Sequence, residues 1–263
     1  MASLIKVSFF CKREKGGKNI CGRRDSWLVG KKIKKGCGER ESDERDGDRG
    51  KGKVWCWIGR LSLPPKNPIT DFTAFLRETY SLEKDLINSC VEKRRRPRLF
   101  LVSREEKRGL RNEGEVAKLA RELGFEASVQ EIGPEEALVA RMVNAFDVMV
   151  AVHGDEITNM VYLPERAVLV QIVPVGLAGV GRVYFEEPSK VMNLMYLECR
   201  VSVEESSLSE RYGVGDEVFR NTSSVREKGW NVFKSIYMEN QDVSVDLVRF
   251  RRVLVEAMEL VCG

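Results

Sequence analysis

Between residues 99 and 173, short apolar runs alternate with stretches in which apolar residues recur every three or four positions. The runs predict buried strands at residues 99–102, 125–130, 147–152 and 167–173. The intervening stretches predict helices at residues 112–123, from Pro134 onward, and at residues 157–163. Strands and helices that alternate in this way form a parallel sheet covered by helices. The predicted fold class is therefore α/β, with a Rossmann-like parallel sheet flanked by helices.

The helices are predicted to face the core through apolar stripes. The helix that begins at Pro134 is predicted to point inward through Leu138, Met142, Val143 and Phe146. A helix over residues 71–80, capped by Asp71, is predicted to point inward through Phe72, Phe75, Leu76 and Thr79. The tail, residues 229–261, is predicted to be mainly helical and to pack on the sheet through Leu247, Phe250, Leu254, Ala257 and Val261.

The amino-terminal segment differs from the rest of the chain in pattern and in charge. Residues 1–60 carry 17 Lys and Arg against 8 Asp and Glu, whereas the remaining residues carry 27 against 32. Because a charged, glycine-rich segment buries little apolar surface, residues 1–66 are predicted to be disordered. Residues 67–263 are predicted to form the folded domain. The basic residues favour a solvated arm over a nucleic-acid-binding one, and no nucleic-acid partner is expected.

Several functional classes are disfavoured by patterns that the sequence lacks. No apolar run approaches the roughly 18 residues of a membrane span, and no signal peptide is recognisable. The seven cysteines include no C-x-x-C pair and fit no zinc pattern, so no metal site is expected, and their odd number predicts at least one free thiol. The phosphate-binding glycine motifs of ATPases and of dinucleotide-binding Rossmann enzymes are also missing.

Polar residues directly follow two of the predicted strands. Ser103-Arg104 comes after the first strand, and His153-Gly154, which contains the only histidine of the chain, comes after the third. Thr158-Asn159 lies near the start of the next predicted helix. Because the carboxyl ends of parallel strands share one edge of the sheet, these residues are expected to converge there. A guanidinium, hydroxyls and exposed backbone N–H groups suit a diphosphate.

A structural interpretation of the same residues stays open at this point. A Ser-Arg pair after a strand is commonly a surface turn. A single histidine at a strand end is commonly a structural residue with satisfied hydrogen bonds. Neither pair identifies a ligand when it is taken alone.

Blocks of residues from about Asp71 to Val261 occur in an order that matches a known family. The first blocks are Asp71-Phe72, Tyr80-Ser81-Leu82, Leu101-Val102-Ser103-Arg104, Asn112-Glu113 and Gly124-Phe125-Glu126. The middle blocks are residues 144–148, His153-Gly154, Thr158-Asn159, Leu163-Pro164 and residues 171–174. The last blocks are residues 205–208, Tyr212, Gly229-Trp230, residues 241–243 and residues 249–251. Together they resemble the carboxyl-terminal half of plant-type glycosyltransferase family 61.

The resemblance implies a GT-B enzyme with two facing Rossmann-like domains, of which this chain would supply the donor-binding half. It implies an inverting, metal-independent transfer of a pentose or N-acetylglucosamine from a UDP-sugar to a glycan such as xylan. The expected partners are therefore the nucleotide-sugar donor and the glycan acceptor, with no cofactor. The expected location is the Golgi. The triplet Asn221-Thr222-Ser223 is a candidate glycosylation site that is compatible with that lumen.

Motif matching also implies a role for individual residues. The residues expected to bind the nucleotide sugar are Ser103, Arg104, His153, Gly154, Thr158 and Asn159. Glu113 is expected to lie behind them, early in its helix. The catalytic base is unassigned; His153 is a candidate for it, but its place in the donor half favours a contact with the donor.

The motif that begins at His153 departs from the family pattern. The family usually has His-Gly-Ala-Gly-Leu-Thr-Asn, whereas this chain has Asp155-Glu156-Ile157 between Gly154 and Thr158. If the two carboxylates face the pocket, donor affinity should fall. If they point to solvent, little should change.

The amino-terminal half and membrane anchor of the family have no counterpart in residues 1–66. We therefore expect a truncated enzyme or an incomplete gene model, with membrane association only if an anchor precedes this sequence. The alternative function is a non-catalytic sugar-nucleotide-binding fragment or an inactive relic of the family.

Overall fold

The computed structural model describes residues 10–13, 19–22, 68–88, 95–104 and 109–263. The chain divides into two units, Met1–Pro68 and Ile69–Gly263, and each is described by itself. In the first unit, strands β1 (Phe10–Arg13) and β2 (Asn19–Gly22) form an antiparallel pair. The rest of residues 1–66, including the basic arm, lies outside the described residues, so the predicted disorder stays a prediction.

A five-stranded parallel sheet forms the centre of the second unit. Its strands are β3 (Arg98–Val102), β4 (Glu126–Gln130), β5 (Val148–Val152), β6 (Val168–Val173) and β7 (Met195–Arg200). In space they follow the order β4-β3-β5-β6-β7, and every neighbouring pair is parallel. The predicted α/β fold is therefore confirmed. Four strands begin within one residue of their predicted starts, and β7 was not predicted.

Strands β5 and β6 show why this sequence forms a buried sheet. Every residue of β5 and β6 is buried, and almost all of them are Val, Ile, Leu, Met or Ala. Continuous apolar strands of this kind are typical of parallel sheets covered on both faces. The exception is Gln171, a completely buried amide in the middle of β6.

Helices lie between the strands and along the tail. The α-helices before β7 are α1 (Pro68–Tyr80), α2 (Glu113–Glu122), α3 (Glu136–Asn144), α4 (Ala178–Gly181) and α5 (Glu187–Val191). The later ones are α6 (Glu217–Arg220), α7 (Thr222–Glu227), α8 (Trp230–Phe233) and α9 (Leu247–Cys262). Tighter 3-10 turns cover Asp155–Tyr162 and Ser207–Glu210, and wider π-helical turns cover Arg182–Glu186 and Lys234–Glu239.

Two predicted helix faces are wrong in part. In α3, Leu138 is 55% exposed. The residues that α3 buries are Val139, Ala140, Val143 and Asn144. In α1, which begins three residues before its predicted start, Phe75 and Thr79 are exposed while Leu76 is buried. Both helices carry apolar residues on two adjacent faces, so the spacing alone admits either, and packing against the sheet selects one.

The carboxyl-terminal helix α9 confirms its predicted stripe. Its buried residues are Phe250, Leu254, Ala257 and Val261, and Leu247 packs beside them. The helix packs against β6, β7 and α2. A second, smaller apolar cluster consists of Val173, Leu177, Leu208, Val218, Val225, Phe233 and Tyr237. Nothing in the described part of the chain is a helix long and apolar enough to cross a bilayer.

Within the described residues, Cys199 in β7 is a free thiol, and it is buried. Burial raises the pKa of the Cys199 thiol to about 11. Because the thiolate is the reactive form, this cysteine is inert at neutral pH and acts as a small apolar residue of the core.

Candidate functional site

The strand order singles out one point at the edge of the sheet. From β3 the chain turns to one side to form β4, and it then returns to form β5 on the other side of β3. Open α/β sheets bind their ligands at the carboxyl ends of the two strands between which the order reverses. Here those strands are β3 and β5. Their carboxyl ends lead directly into Ser103-Arg104 and His153-Gly154, so the two pairs lie at the same edge.

The guanidinium of Arg104 lies directly over Gly154. A β-carbon built on Gly154 would come within 2.8 Å of Arg104 Cζ, so any larger residue would push the guanidinium away. Gly154 itself is buried, and the Arg104 side chain is only 10% exposed. Because Gly154 has no side chain, the guanidinium of Arg104, which follows β3, can extend across the end of β5.

Glu156 forms an ion pair with Arg104. Asp155, in contrast, is exposed. The structure thus assigns a different orientation to each of the two acidic residues that depart from the family motif. The carboxylate of Glu156 pairs with the same guanidinium that an anionic ligand would bind, because carboxylate and phosphate bind arginine in the same way.

Thr158 and Asn159 lie inside the 3-10 turn and not at its amino terminus, because the turn begins two residues before the predicted helix. Thr158 Oγ1 donates a hydrogen bond to the Asp155 carbonyl at 2.5 Å. Asn159 Nδ2 donates to the Glu156 carbonyl at 2.9 Å. These local bonds hold both side chains against the first turn, next to Gly154.

Ser103 directly follows β3 and Glu113 begins α2, and the predicted roles of both residues stay predictions. The Ser103 N–H donates to the Gln130 carbonyl at 2.9 Å, which extends the pairing of β3 with β4 up to the residue before Arg104. Glu113 is the first residue of α2, where a carboxylate stabilises the positive end of the helix. Among the described residues, no hydrogen bond or ion pair links Glu113 to the edge formed by Arg104 and His153.

His153 is buried, with 4% of its surface exposed. Its Nδ1 lies 2.6 Å from Gln171 Nε2, and Gln171 Oε1 accepts a hydrogen bond from the Tyr196 hydroxyl at 2.6 Å. The Phe185 ring packs edge-on against the imidazole, with 5.3 Å between the ring centroids. Burial, helped by the nearby Glu198 carboxylate, raises the pKa of Tyr196, so its hydroxyl keeps its proton.

Sequence reasoning missed Gln171, although a signal for it was present. It is the one polar residue in an otherwise apolar strand, Val168–Val173. A buried amide costs free energy unless it is hydrogen-bonded, so such a residue predicts a polar partner in the neighbouring strands. The partner of Glu156 carried no comparable signal, because nothing in the local pattern indicates which cation a carboxylate will meet.

The opposite ends of β3 and β5 carry a buried charge cluster that was not predicted. Asp147, which immediately precedes β5, is completely buried. Its carboxylate accepts hydrogen bonds from Lys84 Nζ at 2.5 Å, from Arg95 Nη2 at 2.9 Å and from the Arg98 N–H at 2.7 Å. Burial alone would raise the pKa of Asp147, but the bonds from Arg95, Lys84 and the Arg98 N–H outweigh it and lower the pKa.

Two further features bear on the predicted chemistry. Asn221 is exposed and caps α7, where its Oδ1 accepts a hydrogen bond from the Ser224 N–H at 3.2 Å. Glycosylation of Asn221 stays a prediction. In the part of the chain that the structure describes, no group of three or more His, Cys, Asp or Glu side chains is arranged to hold a metal ion.

Comparison with known proteins gives the family. A family model described as Glycosyltransferase 61 matches residues 56–170. The chain is 37% identical over 206 residues to an alpha-1,3-arabinosyltransferase, XAT3, from Oryza sativa subsp. japonica, a match that covers 77% of this chain and 36% of that protein. It is 36% identical over 208 residues to a beta-1,2-xylosyltransferase, XYXT1, from the same plant, covering 76% of this chain and 45% of the relative.

A relative from a second plant gives the same result. The xylan glycosyltransferase MUCI21 from Arabidopsis thaliana is 35% identical over 181 residues, covering 67% of this chain and 37% of that protein. The chain thus spans less than half the length of these curated relatives. The predicted resemblance is confirmed, and the chain belongs to glycosyltransferase family 61.

Proposed function

We propose that this chain binds the nucleotide part of a UDP-linked sugar at the carboxyl ends of β3 and β5. One observation carries the proposal: the strand order reverses between these two strands, and there the Arg104 guanidinium lies over Gly154. A cation beside glycine backbone at a reversal point suits a diphosphate.

In this proposal each residue of the edge has a distinct task. Arg104 balances the charge of the diphosphate, and the Ser103 hydroxyl orients it. Gly154 provides the close approach, while Thr158 and Asn159 shape the wall of the pocket. As the bond to the sugar breaks, the departing UDP gains negative charge, and a fixed cation stabilises that charge without reorganisation of solvent.

The names of the relatives support a wider proposal for the enzyme to which this sequence contributes. We propose an inverting, metal-independent glycosyltransferase that moves a pentose or N-acetylglucosamine onto xylan or a related glycan in the Golgi lumen. The exposed Asn221 is compatible with that compartment. An acceptor site and a catalytic base would come from the facing domain of a two-domain enzyme.

A second candidate function is favoured by a specific observation. The Glu156 carboxylate is paired with the Arg104 guanidinium, which is the cation that the diphosphate of the donor would bind. A family member with such a pair could retain the fold and bind a sugar nucleotide weakly without transferring sugar. This candidate is a non-catalytic binding fragment or a relic of an enzyme.

A thermal-shift experiment on the full chain tests the binding proposal. Melting is recorded with millimolar UDP, with CMP and GDP as controls. A ligand at about 100 times its dissociation constant stabilises the folded state by about 2.7 kcal/mol, which is a measurable rise in melting temperature. A rise that UDP alone produces supports the site. No rise in a sample that unfolds cooperatively would refute it.

A transfer assay then separates the two candidate functions. The full chain is incubated with UDP-arabinose, UDP-xylose or UDP-N-acetylglucosamine and with xylan oligosaccharides, and the products are analysed by mass spectrometry. A glycosylated oligosaccharide supports the enzyme. UDP-selective stabilisation without any product supports the binding fragment.

A further inference from the structure

The imidazole of His153 belongs to a hydrogen-bonded chain that runs from the end of β5 across β6 to β7. Tyr196 in β7 donates its hydroxyl proton to Gln171 Oε1 at 2.6 Å. Gln171 Nε2 lies 2.6 Å from His153 Nδ1. Gln171 is completely buried, so its amide has no solvent with which to exchange partners.

Gly181 also restricts the position of the Gln171 amide. A β-carbon built on Gly181 would lie 3.0 Å from Gln171 Nε2 and 3.4 Å from its Oε1. Gly181 therefore packs tightly over the amide, and Phe185, four residues later, packs edge-on against the imidazole. The segment that includes α4 and the following π-helical turn thus covers both Gln171 and His153.

The direction of the chain follows from the donors and acceptors that each group offers. A protonated tyrosine hydroxyl has one hydrogen to donate, and Gln171 Oε1 at 2.6 Å receives it in preference to Glu198 Oε2, which lies 3.3 Å away. Gln171 can then offer only N–H donors to its other neighbour. His153 Nδ1 must accept, so the proton of the neutral imidazole resides on Nε2.

We propose that Gln171 is a positioning residue that fixes His153 in the tautomer protonated at Nε2. In this state the only lone pair of the ring is engaged by the Gln171 amide. His153 therefore donates a hydrogen bond through Nε2, and it is not prepared to take a proton as a general base.

The tautomer is a property of the chain without any ligand, whereas a contact between the His153 Nε2–H group and a nucleotide sugar rests on the proposed function. If a nucleotide sugar binds at the end of β5, the Nε2–H group suits an oxygen of that ligand, on a phosphate or on the sugar. Selectivity then depends on the acceptor oxygen, because a donor-only group discriminates against a ligand that presents a hydrogen at the same place.

Nitrogen NMR of the full chain labelled with 15N-histidine tests the tautomer directly. The protein has one histidine, so the spectrum contains one imidazole. At about pH 8, above the ordinary histidine pKa of about 6.5, we expect a pyridine-type signal from Nδ1 and a pyrrole-type signal from Nε2. A proton on Nδ1, or averaged signals from two tautomers, would overturn the proposal.

Two variants test whether Gln171 is the cause. In Gln171→Glu the carboxylate can only accept, so the proton should move to Nδ1. In Tyr196→Phe the amide loses the hydroxyl that sets its direction, so the tautomer with the proton on Nδ1 should become populated even though the side chain keeps its shape.

The control is Tyr237→Phe, which removes a buried hydroxyl that donates to the Val218 carbonyl in the smaller apolar cluster. It should leave the imidazole signals of His153 unchanged. If Gln171→Glu and Tyr196→Phe both keep the wild-type tautomer, Gln171 does not position the proton and the proposal fails. Tyr196→Phe keeps the test available if Gln171→Glu does not fold.

Titration of the labelled protein with UDP separates the tautomer from its use. When UDP stabilises the chain, the Nε2–H signal should shift while the Nδ1 signal changes little. If stabilisation occurs and Nε2 does not respond, His153 does not contact the nucleotide. If UDP does not bind at all, the proposed function fails while the tautomer measured without UDP still stands.

Discussion

The two ends of β3 and β5 differ in how their charges are paired. At the amino ends two cations bind one buried carboxylate, whereas at the carboxyl ends, within the described residues, Arg104 forms an ion pair with Glu156. Asp147 is completely buried and binds Lys84, Arg95 and a backbone N–H. At the opposite edge, Arg104 is paired with Glu156, whose side chain is 27% exposed.

One end of the strand pair β3 and β5 thus contributes to the stability of the fold, and the other end to ligand binding. A buried carboxylate whose oxygens accept several hydrogen bonds is a closed site, and it fixes where two strands begin. The Arg104–Glu156 pair joins a largely buried guanidinium to a partly exposed carboxylate, and another anion can replace that carboxylate because phosphate binds arginine in the same way. We therefore expect substitutions at the amino edge to change folding, and substitutions at the carboxyl edge to change ligand affinity.

The largest effect is expected from Asp147→Asn. Loss of the carboxylate leaves Lys84 and Arg95 without their shared counter-charge, and breaking a buried ion pair in this way costs about 3 kcal/mol of unfolding free energy. Denaturant unfolding measures it. The control is Glu126→Gln, which breaks an exposed pair with Arg98 at 3.8 Å and should cost less than about 1 kcal/mol. Equal costs in the two variants would remove the distinction between the edges.

The next effect is expected from Arg104→Ala, which should weaken UDP binding by about 10- to 100-fold. A hydrogen bond to a charged group is worth about 1.5–3 kcal/mol, which corresponds to that change in dissociation constant. Titration calorimetry measures it. Arg252→Ala removes the same charge from an exposed position on α9 and should leave UDP affinity unchanged. Loss of affinity in both variants would indicate a general charge effect instead of a site.

A smaller effect of opposite sign is expected from Glu156→Gln. Removing the carboxylate that pairs with Arg104 frees the guanidinium for phosphate, so UDP affinity should rise by about three- to fivefold, a change of less than about 1 kcal/mol. Asp155→Asn is the matched control, because it removes the same charge one residue earlier from an exposed side chain. Equal gains in the two variants would contradict a specific competition by Glu156.

The smallest effect is expected in acid. The pKa of Asp147 is lowered in the folded state, so its stabilisation is present above the unfolded value of about 3.9 and is lost as the pH falls through the lower folded value. Because burial opposes the hydrogen bonds, the net loss should be modest. The difference in unfolding free energy between wild type and Asp147→Asn should be constant above about pH 5 and should narrow below about pH 4. A difference independent of pH would contradict the assignment.

The sequence predicts the repetitive parts of this fold well. Helix α2, the inner strands and the stripe of α9 follow from apolar periodicity, and the glycine at position 124, with φ of +103°, ends α2 as expected. Strand β7 escapes prediction because it lies at the sheet edge and is mostly half-buried, so its residues lack the continuous apolar pattern of β5 and β6.

The candidate site divides in the same way. The positions of Arg104 and His153 at strand ends can be predicted, since topology brings such ends together. Their partners Glu156 and Gln171 cannot be predicted from local patterns, because both contacts depend on side-chain directions that the assembled sheet determines. Gln171 leaves a trace as a polar residue in an apolar strand, and Glu156 leaves one as an acidic residue that departs from the family motif, but neither trace identifies the partner.

Hydrogen–deuterium exchange of the full chain, with and without saturating UDP, measures both ends of β3 and β5 in one experiment. We expect slower amide exchange in residues 102–104 and 153–159 when UDP is bound, and unchanged exchange at residues 95–98 and 145–148. Protection at the amino ends alone, or no change at the carboxyl ends when UDP is bound, would contradict this expectation.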